Sequence, residues 1–211
     1  MKLYYFDLYA RGEPIRMMLT LAKVPFEDCR LTGQSWMDLK PTLEYGQMPV
    51  LELDDGTQLS QSAAIYDYIA TIHGFHPESP MDKYRGQNLY EAMVIDVMYK
   101  SVVKFVFLSK PEEKEANGEI AAADYTKAVG HFAKVLSQRE DKFICGNKLT
   151  LHDFTVGGIF LNLVVNPNHK DTEFWDKQWA ATPDRVKKYV ADLQEEMKDY
   201  LEARKECKST M

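Results

Sequence analysis

Short apolar runs alternate with short amphipathic stretches along the first 72 residues of the chain. The aromatic run at residues 3–8 ends before Arg11-Gly12 and predicts a strand, and Pro14 fits the first turn of a helix that continues to Lys23. The same patterns predict a strand at 26–31, a short irregular helix at 36–43, two strands at 50–53 and 57–60 around an Asp-Asp-Gly turn, and a helix at 62–72. This order predicts a small sheet with helices on its faces.

The pattern changes at residues 74–80, where a glycine and two prolines disfavour a helix and indicate a linker. After Met81 helical periodicity dominates. Residues 89–108 are apolar on nearly all sides, 114–137 predict a second helix, and 186–201 have apolar residues at spacings of three and four, which predicts one last amphipathic helix. We therefore expect an α+β chain with a sheet-containing domain at 1–74, a linker at 75–81 and an all-helical domain at 82–211, whose tail frays from Lys205.

A variant of the helix capping box stands at Thr150-Leu151-His152-Asp153. A threonine followed three residues later by an acidic residue is typical of a helix start, because each side chain can accept a hydrogen bond from a backbone N–H group there. We interpret this motif as a folding signal without direct chemistry.

Charge and composition narrow the classes of function. Lys and Arg total 26 and Asp and Glu total 32, a formal net charge of −6 without a long basic run, so nucleic acid is not an expected partner. The longest apolar stretches fall short of the roughly 20 residues of a spanning helix, and the N-terminus lacks the pattern of a signal peptide. We expect a cytoplasmic protein without a membrane segment, in which Cys29, Cys145 and Cys207 are free thiols.

The sequence contains no familiar motif for a metal or a nucleotide. The histidines do not form a ligand cluster with tetrahedral spacing; they are His73, His76, His131, His152 and His169. A P-loop, a Gly-x-Gly-x-x-Gly motif and a Gly-x-Ser-x-Gly motif are all missing from the sequence. We therefore predict neither a metal site nor a bound cofactor.

Two tyrosines at the end of the first predicted strand are candidates for chemistry. Strand alternation sends Tyr4 and Tyr5 to opposite faces, so one hydroxyl can face a cleft just before a helix. On this feature alone, two amphipathic core tyrosines are the simpler interpretation.

Two further candidates flank the predicted hairpin. In Gln47-Met48-Pro49 the proline removes a ladder donor before a strand, which fits either a plain turn or a cis peptide bond that presents the Met48 backbone to an extended ligand. Gln61-Ser62 directly precedes a helix whose first N–H groups can hold a carboxylate, although on this feature alone ordinary capping is the simpler interpretation.

The order of these features resembles the cytosolic glutathione transferases over nearly the whole chain. The matching motifs are Leu3-Tyr4-Tyr5-Phe6, Arg11-Gly12-Glu13-Pro14-Ile15-Arg16, Trp36-x-x-x-Lys40, Gly46-Gln47-Met48-Pro49-Val50, Leu59-Ser60-Gln61-Ser62-Ala63-Ala64-Ile65 and Gly146-Asn147-x-Leu149-Thr150-x-x-Asp153-Phe154. Each motif is weak alone, but their order and spacing are specific. The short segment before Trp36 is most similar to the sigma class, which includes glutathione-dependent prostaglandin D synthases.

The resemblance implies a thioredoxin-like first domain with a mixed four-stranded sheet, and an all-helical second domain that forms the electrophile pocket and part of the interface of a homodimer. It implies that the Tyr5 hydroxyl donates to the glutathione sulfur, with Arg11 beside it. The other implied glutathione contacts are Trp36 and Lys40 at the glycyl carboxylate, Gln47 and the Met48 backbone before the cis-proline Pro49, and Gln61 and Ser62 at the γ-glutamyl carboxylate.

The implied role of Tyr5 can be compared with the energy that it requires. A free thiol with a pKa of about 8.5 is only a few per cent thiolate at neutral pH, and the thiolate is the nucleophile. Lowering that pKa by about two units needs roughly 2.7 kcal/mol, of which one hydrogen bond to a charged acceptor supplies about 1.5 to 3 kcal/mol. We expect glutathione to be the co-substrate, to attack a small apolar electrophile, and to need no further cofactor.

Two alternatives and two departures from the family pattern accompany this hypothesis. The alternatives are a sigma-type prostaglandin-H2 D-isomerase and a non-catalytic carrier or structural protein with the same fold, whereas the missing Cys-x-x-Cys argues against a thioredoxin-type redox protein. Asp96 is the nearest candidate for an acidic residue that reaches the glutathione of the neighbouring subunit, but it stands about three residues away from the family position. No proline separates the last two helices near Met197.

Overall fold

The computed structural model describes residues 1–168 and 171–207, which divide into two units. The first unit comprises Met1–His76 together with the described residues from Asp199 onward, and the second comprises Pro77–Lys198. The first unit contains the sheet and the second is helical, so the expected α+β architecture is confirmed.

The sheet of the first unit has four strands in the order β2-β1-β3-β4. The strands are β1 (Lys2–Phe6), β2 (Glu27–Leu31), β3 (Val50–Glu52) and β4 (Gln58–Ser60). β1 pairs in parallel with β2 and antiparallel with β3, and β3 pairs antiparallel with β4, so the sheet is mixed as expected. The carboxyl ends of β1, β2 and β4 therefore meet the start of β3 at one end of the sheet.

The helices of the first unit are α1 (Glu13–Leu21), which follows a 3₁₀ turn at Ala10–Gly12, α2 (Gly33–Leu39) and α3 (Ser62–His73). Two predicted boundaries are corrected. The first strand ends at Phe6 rather than residue 8, because the chain bends there toward the 3₁₀ turn. The helix predicted at 36–43 begins earlier, since the Ser35 hydroxyl accepts a hydrogen bond from the Thr32 N–H at 3.1 Å, and a separate turn at Lys40–Thr42 follows it.

The second unit begins with a long helical stretch, α4, that comprises Pro80–Leu89, Tyr90–Val102 and Lys104–Leu108, the latter two with wide π-type turns. α5 (Lys114–Ser137) has the predicted bounds. It is followed by α6 (residues 151–164), α7 (Thr172–Ala180), α8 (Asp184–Glu196) and α9 (Lys198–Ala203). The patterns did not predict α7. A single last helix at 186–201 is also wrong, because Met197 leaves the helical conformation between α8 and α9, with φ −99° and ψ 11°.

The start of α6 is built around one buried carboxylate. Asp153 Oδ2 accepts hydrogen bonds from the backbone N–H and the hydroxyl of Thr150, at 2.8 and 3.0 Å. Asp153 Oδ1 accepts from the Ile144 N–H and the Tyr189 hydroxyl, both at 3.1 Å. Burial raises the pKa of Asp153 to about 6, although the hydrogen bonds favour its ionised form and by themselves would lower the pKa. The interpretation of this motif as a helix start is confirmed.

Side-chain contacts hold the last described residues of the chain, up to Cys207. Arg30 donates hydrogen bonds to the Glu206 carbonyl at 3.4 Å and to the Cys207 sulfur at 3.3 Å, and the Arg204 guanidinium lies 4.3 Å from the centre of the Tyr9 ring. Fraying from Lys205 is therefore wrong as far as Cys207, while residues 208–211 lie outside the described residues. Within the described residues, no helix has the length and apolar character needed to span a membrane.

Candidate functional site

The residues singled out in the first unit gather at one end of its sheet. Val50, the first residue of β3, pairs with the residue before Tyr5 on β1 and with the last residue of β4. The next residues toward this end of the sheet are Tyr5 after Tyr4, Gln61 after Ser60 and, because β3 runs in the opposite direction, Pro49 before Val50. Residues far apart in the sequence are thus brought side by side by the strand register.

Tyr5 is the best anchored residue of this end. Its side chain is 5% exposed, and its hydroxyl oxygen accepts a hydrogen bond from the Arg11 backbone N–H at 3.1 Å. The Arg11 carbonyl in turn accepts from the Tyr66 hydroxyl of α3 at 2.7 Å, while the Arg11 side chain is exposed. A hydroxyl that accepts an N–H bond is polarised and becomes a stronger donor of its own proton.

Tyr4 has a different environment. It is half-buried on the opposite face of the strand, and burial, together with the Glu52 carboxylate, raises its pKa. The structure therefore distinguishes the two tyrosines that the sequence pattern left open: Tyr5, not Tyr4, has its hydroxyl at the turn that leads into α1.

Gly12 positions the Tyr5 ring, a role that the sequence analysis did not identify. A Cβ atom at Gly12 would lie 2.4 Å from Cδ1 and 2.7 Å from Cγ of Tyr5, which is closer than real side chains approach. The ring therefore lies directly against the Gly12 backbone. The only signal of this role in the sequence is a glycine immediately after Arg11, and a glycine there is equally typical of the end of a strand.

A buried ion pair lies next to this turn. Glu13 and Arg16 are 0% and 2% exposed, and Arg16 donates to Glu13 at 3.0 Å and to Asp28 at 2.9 Å. Burial alone would lower the pKa of the Arg16 guanidinium, but the two carboxylates outweigh it and raise that pKa. Arg16 Cζ lies 5.9 Å from the centre of the Tyr5 ring, so a permanent cation is adjacent to that phenol.

The same glutamate binds the end of the chain. The Tyr200 hydroxyl donates to Glu13 Oε1 at 2.8 Å, and Arg204 donates to the same oxygen at 3.4 Å. Burial, followed by the Glu13 charge, raises the pKa of Tyr200 well above its usual value, so Tyr200 stays a neutral donor. Sequence reasoning missed this cluster because its members are 187 residues apart.

Trp36 and Lys40 lie together, as expected from their spacing on a short helix. The Trp36 ring meets the Phe6 ring edge-on with 5.4 Å between centroids, and Lys40 Nζ lies 5.8 Å from the centre of the Trp36 ring. Lys40 is exposed and Trp36 half-buried. An aromatic face with a cation above it can hold an anionic group at the surface.

The two remaining segments enter the sheet end from β3 and α3. The Met48–Pro49 peptide bond is cis, with Pro49 buried and Gln47 exposed. Gln61 has φ 68°, which is unusual for a residue other than glycine, and Ser62 is the first residue of α3. We call this group of residues the sheet-end site; its members are Tyr5, Arg11, Trp36, Lys40, Gln47, Met48, Pro49, Gln61 and Ser62.

Other candidate residues have simpler environments. Asp96 is exposed and forms an ion pair with Lys100 on the same helix. The three cysteines are half-buried thiols, and burial raises the pKa of Cys29 and Cys207 to about 11 and that of Cys145 to about 12, so all three are protonated at neutral pH.

The described parts of the chain contain no group of three or more His, Cys, Asp or Glu side chains placed to hold a metal ion. His169 lies outside the described residues.

Comparisons with known families match both units. The sequence profile "Glutathione S-transferase, N-terminal domain" matches residues 1–71, and "Glutathione S-transferase, C-terminal domain" matches residues 95–204. Together they span the sheet-end site and most of the helical unit.

Individual proteins resemble the chain over much of its length. "Glutathione S-transferase 4" of Caenorhabditis elegans is 30% identical, with 90% of this chain and 95% of that protein aligned. "Hematopoietic prostaglandin D synthase" of Gallus gallus is 30% identical over 72% of this chain and 74% of that protein. The crystal structure of the glutathione S-transferase from Ascaris lumbricoides has a TM-score of 0.77 and 25% identity and covers 97% of each chain.

Proposed function

The chain belongs to the glutathione S-transferase family of enzymes, and from that premise we propose that the sheet-end site binds glutathione and holds its sulfur as a thiolate. The thiolate then attacks a small apolar electrophile. The observation that carries this proposal is the hydrogen bond from the Arg11 N–H to the Tyr5 hydroxyl at 3.1 Å, since it fixes one phenol at the carboxyl end of β1 and strengthens it as a donor.

Tyr5 supplies most of the energy in this proposal. Its hydroxyl donates to the glutathione sulfur and favours the thiolate over the thiol, which corresponds to about 1.5 to 3 kcal/mol for a charged acceptor. The exposed Arg11 side chain and the amino-terminal end of α1 supply further positive potential. Together these groups account for the roughly 2.7 kcal/mol that a pKa decrease of two units requires.

The remaining residues of the site bind the two ends of the tripeptide. Lys40 and Trp36 hold the glycyl carboxylate, and Gln61 with Ser62, at the start of α3, holds the γ-glutamyl carboxylate. Gln47 and the Met48 backbone, before Pro49, pair with the extended middle of the ligand. Two separated anion subsites match a ligand that carries two carboxylates.

The reaction needs only groups that the protein and its two substrates supply. The thiol proton leaves to water, and the sulfur lone pair forms a bond to the electrophilic carbon. A leaving group then departs with its bonding electrons or, in an addition, the adjacent carbon takes up a proton. No further cofactor takes part.

We also propose that the protein acts as a cytoplasmic homodimer, which rests on the family resemblance.

Replacing Tyr5 by phenylalanine tests the mechanism. Because Tyr5→Phe removes only the hydroxyl, we expect kcat/KM with an aryl halide to fall by about 10- to 100-fold. The pKa of bound glutathione, followed by thiolate absorbance, is expected to return toward about 8.5. Tyr4→Phe is the matched control on the opposite face and is expected to keep wild-type turnover. An unchanged thiol pKa in Tyr5→Phe would refute the role of this phenol.

A second candidate is a sigma-type prostaglandin-H2 D-isomerase. It is supported by the 30% identity to the Gallus gallus prostaglandin D synthase and by the short segment before Trp36. Incubation of the enzyme with glutathione and the prostaglandin endoperoxide, followed by product analysis, tests it. Products in the proportions of spontaneous decay would exclude the isomerase and leave the conjugating activity as the function.

A further inference from the structure

Tyr66 is a buried residue of α3 that reaches the turn before α1, although it is not a member of the sheet-end site. It is 3% exposed, and its hydroxyl donates a hydrogen bond to the Arg11 carbonyl at 2.7 Å. A phenylalanine at this position would serve the packing of α1 against α3 equally well, because the aromatic ring supplies the apolar contact. The reason for a hydroxyl here therefore lies in the carbonyl that it reaches.

The turn at Ala10–Gly12 needs support from outside its own backbone. In a 3₁₀ turn the Arg11 carbonyl would accept a hydrogen bond from the residue three positions later, but that residue is Pro14, which has no N–H group. Ala10 has φ 27°, a positive value that a residue with a Cβ atom rarely adopts. Because such a conformation persists only where the surrounding structure holds it, the hydrogen bond from Tyr66 stabilises this turn.

Arg11 connects Tyr66 to the phenol of the site through its two backbone groups. Its carbonyl accepts from the Tyr66 hydroxyl, and its N–H donates to the Tyr5 hydroxyl at 3.1 Å. That second distance is toward the long end of the usual range for an N–H···O hydrogen bond, so a small movement of the Arg11 backbone weakens it. The donor strength of Tyr5 therefore depends on how firmly Arg11 is held.

The helix that carries Tyr66 is itself held by the core of the first unit. Ile65 and Ile69 of α3 are 0% exposed. Ser62, the first residue of α3, lies four residues before Tyr66, and residues at this spacing share one face of a helix. One face of α3 thus bears both Ser62 of the sheet-end site and the phenol that holds Arg11.

We propose that Tyr66 is a positioning residue for the glutathione chemistry, a role that rests on the proposed function of Tyr5. By holding the Arg11 carbonyl, the Tyr66 hydroxyl keeps the Arg11 N–H on the Tyr5 oxygen, and it thereby sets how strongly Tyr5 stabilises the thiolate. Tyr66 acts through Arg11 and needs no contact with glutathione.

Tyr66→Phe tests this role because the substitution removes the hydroxyl and keeps the ring. Tyr125→Phe is the matched control: Tyr125 is also 3% exposed, and its hydroxyl forms a buried hydrogen bond with the Thr182 hydroxyl in the helical unit, at 3.3 Å. Since each variant loses one buried hydroxyl, we expect similar decreases in the free energy of unfolding, measured by urea denaturation. A merely structural role of Tyr66 would appear in this measurement alone.

The ionisation of bound glutathione distinguishes a positioning role from a structural one. Thiolate absorbance is titrated with pH in each full-length variant, and kcat and KM are measured with an aryl halide. We expect Tyr66→Phe to lower the acid dissociation constant of the bound thiol about threefold, and kcat/KM at neutral pH by a similar factor, with KM for glutathione unchanged. Tyr125→Phe is expected to change none of these three quantities.

A double variant tests whether Tyr66 acts through Tyr5. Because Tyr5→Phe lacks the hydroxyl on which the Arg11 N–H acts, adding Tyr66→Phe is expected to leave the dissociation constant of the thiol at the Tyr5→Phe value. A wild-type constant in Tyr66→Phe, a higher KM for glutathione as its only effect, or a further threefold decrease in the double variant would overturn the positioning role. A wild-type constant in Tyr5→Phe alone would instead refute the proposed function, so the two failures are distinguishable.

Discussion

Two helix starts, one in each unit, hold the entering backbone with side-chain hydrogen bonds, and their surroundings differ. At the start of α6 the Asp153 carboxylate accepts four hydrogen bonds and is 0% exposed, among partners that are themselves buried. At the start of α1 the Tyr5 hydroxyl holds the Arg11 backbone, but the Arg11 side chain and nearby Gln61 are exposed. The comparison indicates that a fully enclosed polar group serves folding, whereas one at the edge of solvent can serve a ligand.

Substitutions in an enclosed polar cluster and at the edge of solvent are expected to differ in the free energy that they change. Removing a partner from an enclosed cluster leaves buried donors without acceptors, at about 1 to 3 kcal/mol each, so its effect appears in the free energy of unfolding. Removing a group at the edge of solvent lets water replace it, so its effect appears in binding or rate.

The largest effect is expected for Asp153→Ala. The substitution leaves the Thr150 and Ile144 N–H groups and the Tyr189 hydroxyl without their acceptor, so we expect the free energy of unfolding to fall by about 4 kcal/mol. Urea denaturation at neutral pH measures this. Asp184→Ala, at the exposed first turn of α8, is the control and is expected to change stability by less than about 0.5 kcal/mol. Similar losses of unfolding free energy in Asp153→Ala and Asp184→Ala would contradict the view that an enclosed polar group serves folding.

The pH dependence of stability sharpens the same point. The pKa of Asp153 is about 6 in the folded protein, compared with 3.8 for an ordinary aspartate. Between pH 3.8 and pH 6 the folded chain therefore binds more protons at this residue than the unfolded chain does. The contribution of this pKa difference to the free energy of unfolding is therefore complete below about pH 4. It decreases by up to about 3 kcal/mol as the pH rises to 6. The stability difference between wild type and Asp153→Ala should shrink over that range. A constant difference would show that Asp153 does not titrate there.

A smaller effect, on rate instead of stability, is expected for Gly12→Ala. The new methyl group displaces the Tyr5 ring, so we expect kcat/KM with glutathione to fall by about tenfold. Gly130→Ala is the control, since a Cβ atom there meets nothing within 4 Å and the residue lies inside α5. Loss of activity in proportion to loss of folded protein, measured by denaturation of both variants, would argue against a positioning role.

The smallest effect is expected for Lys40→Gln. An exposed cation contributes about 0.2 to 1 kcal/mol to an ion pair, so KM for glutathione should rise about threefold while kcat stays the same. Lys83→Gln, an exposed lysine of the helical unit, should leave both parameters unchanged. A decrease in kcat without a change in KM would remove Lys40 from the carboxylate subsite.

Sequence patterns predicted the helices and strands that depend on residues close together in the sequence. α5 has the predicted bounds because its periodicity is long and uninterrupted, and the start of α6 follows from the Thr150 and Asp153 pair. The four strands and their mixed order were likewise expected from alternation, turn residues and the family resemblance. The strand register then brings Tyr5, Pro49 and Gln61 to one sheet end.

The sequence could not predict features that depend on contacts between distant residues. Met197 interrupts the last helix although the apolar pattern of residues 186–201 continues through it. The cluster of Glu13 with Tyr200 and Arg204 depends on the chain end, and the Gly12 contact depends on where the Tyr5 ring lies. No helical or strand periodicity encodes such contacts.

The return of residues 199–207 to the first unit has a consequence for synthesis on the ribosome. Glu13 emerges long before two of its partners, Tyr200 and Arg204, which follow it by 187 and 191 residues. The amino-terminal unit therefore reaches its final structure only after residues 199–207 have left the ribosome, however early its strands assemble.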